Sequence, residues 1–351
     1  MKTKVICFID SLNGGGAQKQ IILLANGLSE KYDVSILYYQ DFNFFISDID
    51  ENVHINKIIS RFYFVKVFKI LKFIYKENPS NIVAFLVGPS IISTLYKIFF
   101  FWRKINLVVG ERNLNINGLS KKDLIYRFSH LFANKIVCNS NAQKVVLSRF
   151  FSNKKISFIP NGTNFNSPIK NKFTTTDIYK LIVPARFIEQ KNPLGLLKAL
   201  AQVSNVHIYW YGKIFKDFPI YNICINFINK NKLNNRFVFK KGINPIYSEI
   251  IKYDGLILPS FYEGCPNAII DGMYCGVPIL ASNVSDNGIY LNHQKELLFN
   301  PHDVNDIIDK INYFKRMSEI ELIKLGAENN KYARQYFNHD YMVESYNKLL
   351  I

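Results

Sequence analysis

Several short runs of this chain are apolar without alternation: Val5 to Ile9, the run opening at Leu181, Asp254 to Pro259 and Val277 to Ala281. Unbroken apolar runs of that length are the mark of strands buried on both faces of a parallel sheet. Segments with helical spacing lie between them. One follows Gly14-Gly15-Gly16 and runs through Leu28, one starts near Pro193, and one spans Asn267 to Cys275 before Gly276 stops it. Strand and helix patterns recur along the whole chain, which predicts an α/β protein with parallel sheets and helices on both faces.

One helical segment has a different pattern. From Arg61 to Lys76, at 100° per residue, Arg61, Lys66, Lys69, Lys72 and Lys76 fall on one stripe, and Phe64, Val67, Phe68, Leu71 and Tyr75 fall opposite, as a core face would. Phe62, Val65 and Phe73 lie within the basic stripe. Apolar side chains between snorkelling lysines suit a helix resting on anionic lipid. An amphipathic helix with a solvated basic face has the same period. Ile98 to Trp102, followed by Arg103-Lys104, is a second apolar stretch fit to dip into such an interface. It is far shorter than the roughly 20 apolar residues a spanning helix needs, and the N terminus reads as a first strand rather than a signal peptide.

At 351 residues the chain suits two α/β domains rather than one. The polar stretch from Asn164 to Asp177 is the linker candidate, giving expected domains at 1–165 and 166–337 with a final segment 338–351. Charge is uneven: residues 1–170 hold 23 Lys and Arg against 10 Asp and Glu, and residues 171–351 hold 21 against 17. The first half therefore expects an anionic partner. No RNP-like aromatic strand, zinc module or helix-turn-helix signature is present, so lipid is preferred and nucleic acid is not expected. Five cysteines form no Cys-x-x-Cys pair, which fits a reducing cytoplasm. The six histidines show no metal spacing, and Asp48-Ile49-Asp50 reads as a solvated turn, so no metal site is expected.

The chemistry concentrates in three places. In Ser260-Phe-Tyr-Glu-Gly-Cys-Pro-Asn267, a turn leads into a helix whose free N–H groups and dipole attract an anion, with Glu263 in the turn and Asp271 one helical turn in. Both carboxylates can accept from sugar hydroxyls. A capped crossover helix of any parallel-sheet protein would share this pattern. After the Leu181 strand, Arg186 and Lys191 sit where open α/β sheets bind ligands, and a guanidinium fork with an ammonium suits a diphosphate leaving group without a metal. The glycines at 14 to 16 allow close backbone approach, yet match neither the Gly-x-Gly-x-x-Gly nor the Gly-x-x-x-x-Gly-Lys pattern, so hydride transfer and P-loop hydrolysis lose support.

With Val137-Cys-Asn-Ser-Asn-Ala142, Ile159-Pro-Asn-Gly162, Tyr211-Gly212 and Leu298-Phe-Asn-Pro301, these runs form an ordered set nearly spanning the chain. It resembles family 4 of the retaining nucleotide-sugar glycosyltransferases, the group 1 type with the GT-B fold. The resemblance implies two facing Rossmann-like domains with an inter-domain cleft, and a last helix, Asp340 to Leu350, returning to the first domain. It implies that Arg186 and Lys191 hold the donor diphosphate and Glu263 lies near the transferred sugar. Gly15 and Gly16 would close over the phosphates, and Gly212, Gly264, Asn267 and Asp271 would complete the donor site. Arg112 is a candidate for donor or acceptor contact, with Glu111 beside it. Two positions depart from the family. Asp271 replaces its second Glu, and Ser285-Asp-Asn-Gly-Ile289 replaces its Gly-Gly-x-x-Glu run, where Asp286 or Asn287 is expected to substitute.

The resemblance therefore implies metal-independent, cofactor-free transfer of a sugar, from a UDP-sugar such as a UDP-N-acetylhexosamine, to a lipid-linked glycan. The expected location is the inner face of the plasma membrane, with the protein peripheral and cytoplasmic, in cell-surface polysaccharide synthesis such as O-antigen or capsule. A nucleotide-sugar epimerase of similar fold, needing further acid and base groups, and a non-catalytic membrane-bound partner of another transferase are the alternatives.

Overall fold

The computed structural model describes residues 2–112, 121–163, 169–173 and 177–351, with the side chains of 121–124 left aside. Most of the expected linker, and the expected boundary at 165, lie outside the described residues. The chain divides into two units, Met1–Gly162 with Asn338–Ile351, and Thr163–Phe337.

The first unit runs β1 (Lys4–Phe8), α1 (Gly16–Ser29), β2 (Asp33–Tyr38), β3 (His54–Lys57), α2 (Tyr63–Glu77), β4 (Asn81–Phe85), α3 (Val87–Phe99), β5 (Asn106–Glu111), α4 (Lys121–His130), β6 (Lys135–Cys138), α5 (Asn141–Ser148) and β7 (Ile156–Phe158). Its sheet is parallel throughout, in the order β3-β2-β1-β4-β5-β6-β7. Central strands are buried on both faces: Cys7 of β1 pairs in register with Ile36 on one side and Val83 on the other.

The second unit runs β8 (Tyr179–Pro184), α6 (Pro193–Leu200), β9 (Val206–Tyr211), α7 (Pro219–Lys230), β10 (Phe237–Lys240), α8 (Tyr247–Ile250), β11 (Gly255–Leu258), α9 (Asn267–Tyr274), β12 (Ile279–Ser282), α10 (Asn287–Tyr290), β13 (Leu298–Phe299), α11 (Val304–Arg316) and α12 (Glu319–Tyr336). Its parallel sheet has the order β10-β9-β8-β11-β12-β13. Helices cover both faces over two apolar layers, one around Trp210, Phe187 and Phe314, the other around Ile269, Met273 and Phe337. The expected α/β class is thus borne out in both units. Gly276, at φ +66°, ends α9, and Gly326 of α12 packs so closely on it that a Cβ there would stand 2.0 Å from the Gly276 carbonyl oxygen.

The final helix, α13 (His339–Asn347), belongs to the first unit. Met342 and Tyr346 are buried in the apolar layer under α1, and the Tyr32 hydroxyl donates to Asn347 Oδ1 at 2.5 Å. Asn81 at the start of β4 exchanges two hydrogen bonds with Ile351, 2.9 and 3.0 Å, and Asn106 at the start of β5 donates to the Leu349 carbonyl.

The facing of α2 corrects the sequence expectation. Its buried residues are Ile70 and Ile74, flanked by half-buried Val67, Leu71 and Phe73, an i, i+3, i+4, i+7 stripe against the sheet. Phe64 and Phe68, read as core, are 85% and 66% exposed, and Tyr75 is exposed too. Phe73, read as part of the basic stripe, packs inward. The helix lies near the edge of the layer and needs only a narrow seam, so the sheet buries the Ile-rich stripe and leaves the aromatics outside. Lys69, Lys72 and Lys76 are exposed, and Lys66 lies over the Tyr39 ring at 5.1 Å. Among the described residues, no helix is long and apolar enough to cross a membrane.

Candidate active site

In the second unit the strand order reverses between β8 and β11, which pair directly, and the crevice beyond their carboxyl ends is where such sheets bind ligands. The loop leaving β8 carries Arg186 to Lys191, and the loop leaving β11 carries Ser260 to Pro266. Topology therefore brings together two motifs some 70 residues apart in sequence. Lys191 Nζ donates to Glu263 Oε1 in an ion pair whose side chains are only 14% and 8% exposed. Gln190 fastens the same loops twice: its Nε2 donates to the Tyr262 carbonyl at 2.8 Å, and its own carbonyl accepts from Phe261 N at 2.9 Å.

Asn192 sits in the left-handed region at φ 48° and caps α6 by accepting from Gly195 N at 3.0 Å. Its Nδ2 reaches the Pro301 carbonyl at 2.8 Å, drawing in the loop after β13. Arg186 is exposed, its carbonyl accepts from Ile188 N at 3.1 Å, and its guanidinium makes no hydrogen bond or ion pair among the described residues, so it is available to a ligand. Gly212, at the end of β9, approaches the β8 exit closely: a Cβ there would lie 2.0 Å from the Ala185 carbonyl oxygen. Gly264 is buried in the turn ahead of α9, Asn267 is the first residue of that helix, and Asp271 is buried in its second turn.

Asp286 and Asn287 turn inward. Asp286 Oδ2 accepts from the Tyr290 hydroxyl at 3.1 Å, and Asn287 Nδ2 donates to the Ser282 carbonyl at 3.0 Å, both side chains being buried. Ser285 is the residue the sequence reading missed. At φ 51° it holds the left-handed turn where the family has glycine, and its Oγ donates to the Glu263 carbonyl at 2.5 Å. Its position in the run that replaces two glycines is the signal that marks it.

In the first unit, Gly15 is the N-cap of α1 and Gly16 its first residue, at the carboxyl end of β1 beside the reversal between β1 and β4. The turn is set by Asn13, whose Oδ1 accepts from Gly14 N at 2.8 Å. Gln18 Nε2 donates to Asp10 Oδ1 at 3.0 Å. Arg112 is buried: its guanidinium donates to Asn161 Oδ1 at 3.0 Å and to the Tyr346 hydroxyl at 2.5 Å, and lies 3.8 Å over the Phe85 ring. It ties the end of β5 to α13. Glu111 is buried as well, 3.1 Å from His130 Nε2. Among the described residues no three His, Cys, Asp or Glu side chains group as ligands of a metal would.

Residues 179–315 match the family model of the group 1 glycosyl transferases. A Campylobacter jejuni relative, the GalNAc-alpha-(1->4)-GalNAc-alpha-(1->3)-diNAcBac-PP-undecaprenol alpha-1,4-N-acetyl-D-galactosaminyltransferase, is 25% identical over 319 residues, covering 86% of this chain and 83% of its own. An Escherichia coli relative, the UDP-Gal:alpha-D-GlcNAc-diphosphoundecaprenol alpha-1,3-galactosyltransferase, is 24% identical over 59% of this chain and 58% of its own. The structure of Anabaena Alr3699/HepE in complex with UDP and glucose superposes with a TM-score of 0.86, at 17% identity, over 99% of this chain and 98% of that one. The fold is that of these neighbours, with a parallel-sheet α/β unit in each half.

Proposed function

We propose that this chain, a group 1 glycosyltransferase, moves a sugar from a UDP-sugar to a lipid-linked glycan in cell-surface polysaccharide synthesis, with retention of configuration and without a metal. The Campylobacter relative acts on an undecaprenol-linked glycan and transfers an N-acetylhexosamine, which supports both the acceptor class and that sugar class. The observation that carries the reading is the Lys191 and Glu263 pair at the strand-order reversal of the second sheet, beside the unpaired Arg186.

In this reading Arg186 and Lys191 bind the diphosphate and stabilise the charge it gains as the bond from C1 of the sugar to the phosphate oxygen breaks. The opening of α9, at Gly264 to Asn267, adds its N–H groups and dipole. The acceptor hydroxyl forms the new bond to C1 on the face the phosphate leaves, and its proton passes to a phosphate oxygen. Glu263 and Asp271 receive sugar or ribose hydroxyls.

Thermal unfolding of the purified protein with UDP, GDP and their sugar conjugates tests the site, since a ligand selective for the folded state raises stability by mass action. UDP should stabilise the protein, and the Arg186→Ala Lys191→Ala variant should lose that shift. No shift with any nucleotide would remove the transferase site, and binding without release of UDP in the presence of any acceptor would favour the non-catalytic reading.

We place the protein at the cytoplasmic face of an anionic membrane, held there by α2. Phe62, Phe64 and Phe68 offer the apolar contact, and Arg61, Lys69, Lys72 and Lys76 the charge. Because Phe64 and Phe68 are outside the core, Phe64→Ser with Phe68→Ser should leave the unfolding temperature within about 1 °C while reducing sedimentation with phosphatidylglycerol vesicles by about tenfold or more. A matching loss of thermal stability would return these rings to a structural role.

A further inference from the structure

At the amino-terminal edge of the first sheet, opposite the edge where the Gly14 to Gly16 turn lies, there is a cavity of about 620 Å3. It opens where α3 hands over to β5. Its charged side chains are all cationic: Lys97, Arg103 and Lys104 line it together with the neutral Asn106 and Asn134 and with Ile351, and no Asp or Glu does. Lys97 donates to the neutral Asn134 Oδ1, Arg103 donates to Asn78 Oδ1 at 2.7 Å, and Lys104 has no hydrogen bond or ion pair among the described residues. Lys155 stands close by and spends its ammonium on the Leu131 carbonyl, 2.8 Å away. Burial, and then the nearness of Lys155, hold Lys97 below the usual lysine range. Three cations set against no acidic side chain make a site for an anion.

The rest of the lining is apolar, chiefly Ile98, Phe101 and Phe132. At the rim Phe101 is 79% exposed with Trp102 exposed beside it. The rim also joins the exposed aromatic side of α2. The Arg103 guanidinium lies over the Tyr75 ring at 4.6 Å, Tyr75 lies 5.0 Å from Phe100, and Phe100 lies 5.5 Å from Trp102. A soluble anion would have no use for an aromatic rim, whereas a lipid phosphate in the cavity would send its acyl chains past Phe101 and Trp102 into the layer that α2 rests on. A volume of this size accommodates a whole headgroup and is well beyond the ~30 Å3 a single water takes up in the liquid.

We propose that this cavity binds the headgroup of an anionic glycerophospholipid, so that the first unit is held on the membrane by one specific lipid as well as by the α2 surface. The inference rests on the membrane placement above and deepens it. It gives Lys97 and Lys104 a common ligand, the phosphodiester, and makes the aromatic tip between α3 and β5 a second anchoring point.

The chain carries its own reporter, because of its two tryptophans Trp102 packs on the lining residue Phe101, ring centroids 5.3 Å apart, and Trp210 is buried in the second unit. Titration of the full chain with monomeric dihexanoyl phosphatidylglycerol should give a saturable blue shift of Trp102 emission. Dihexanoyl phosphatidylcholine should bind about tenfold or more weakly. The Lys97→Gln Lys104→Gln variant should bind phosphatidylglycerol about 25-fold more weakly, about fivefold for each charge removed near an anionic headgroup. Its stabilisation by UDP should equal that of the wild type, which shows that it is folded. Equal binding of the two lipids, equal binding by wild type and variant, or glycerol phosphate binding as tightly as phosphatidylglycerol would each overturn the proposal, the last in favour of a soluble phosphate ester. Vesicle sedimentation separates the two readings: wild type that binds the short-chain lipid but ignores phosphatidylglycerol vesicles keeps the cavity and loses the membrane placement. Wild type and variant that sediment alike, with no short-chain binding, do the reverse.

Discussion

Lys191→Met should lower the rate of sugar transfer by about 100- to 1,000-fold and also lower thermal stability. The first effect follows from the proposed mechanism, in which Lys191 is a fixed positive charge beside a diphosphate that gains negative charge. The second follows from the ion pair, whose side chains are 14% and 8% exposed: deleting one partner leaves the Glu263 carboxylate buried alone, at about 3 kcal/mol, the low end for such pairs because Lys191 keeps some water. For a unit of this size that corresponds to roughly 6 to 12 °C. Lys191→Met combined with Glu263→Leu should recover most of the stability and none of the activity, since two apolar groups pack where two charges stood. Calorimetry and UDP-release assays on the two variants make the comparison. A double variant as unstable as the single one would mean that the pair is not what holds the two loops together, and a single variant that keeps full activity would take Lys191 out of the site.

Gly212→Ala should damage folding and donor binding together. The added Cβ meets backbone, at 2.0 Å from the Ala185 carbonyl oxygen and 3.2 Å from Arg186 N, so no side chain can swing aside to admit it. That same carbonyl accepts the Trp210 Nε1 hydrogen at 2.7 Å, and Ala185 N donates to the Tyr211 carbonyl at 2.9 Å. Moving the strand exit strains both bonds and carries Arg186 with it. A loss of about 3 kcal/mol is expected from overpacking of this kind, with UDP affinity reduced tenfold to 100-fold, as displacements of about 1 Å at a positioned charge produce. Urea unfolding and UDP titration measure the two. Wild-type affinity in a destabilised protein would show that the β8 exit moves without displacing Arg186.

These two cases also mark how far the sequence can be read. The strands are legible because a parallel sheet buries both faces, so Val5 to Ile9 or Leu256 to Leu258 needs no partner to be recognised. Arg186, Lys191 and Glu263 are legible as site residues because a resemblance marks their runs, whereas the pairing of Lys191 with Glu263 and the strand order that produces it come from the structure. The facing of α2 is harder, because aromatic and aliphatic residues contribute alike to helical periodicity. Which of them touches the sheet depends on where the helix axis lies, and Ile70 and Ile74 prevail over Phe64 and Phe68. Arg112 shows a further limit. Its place at a strand end invites a ligand, but its two terminal nitrogens donate to Asn161 and to Tyr346, which lies over 200 residues further along the chain. Ser285 was hidden for a different reason: its contribution is a backbone angle and one hydroxyl, and neither has a periodic signature.

The return of α13 to the first unit has a consequence for biosynthesis. Residues 1–162 emerge before the second unit, but the Met342 and Tyr346 that fill the first unit's apolar layer, the hydroxyl partner of Arg112 and the partners of Asn81 and Asn106 lie in residues 338–351, beyond the second unit in sequence. At ribosomal rates of roughly 5 to 20 residues per second, the second unit is synthesised, and free to fold, for about 10 to 40 s while the first remains unfinished. The apolar layer of the first unit is therefore closed only after the whole of the second unit has been made.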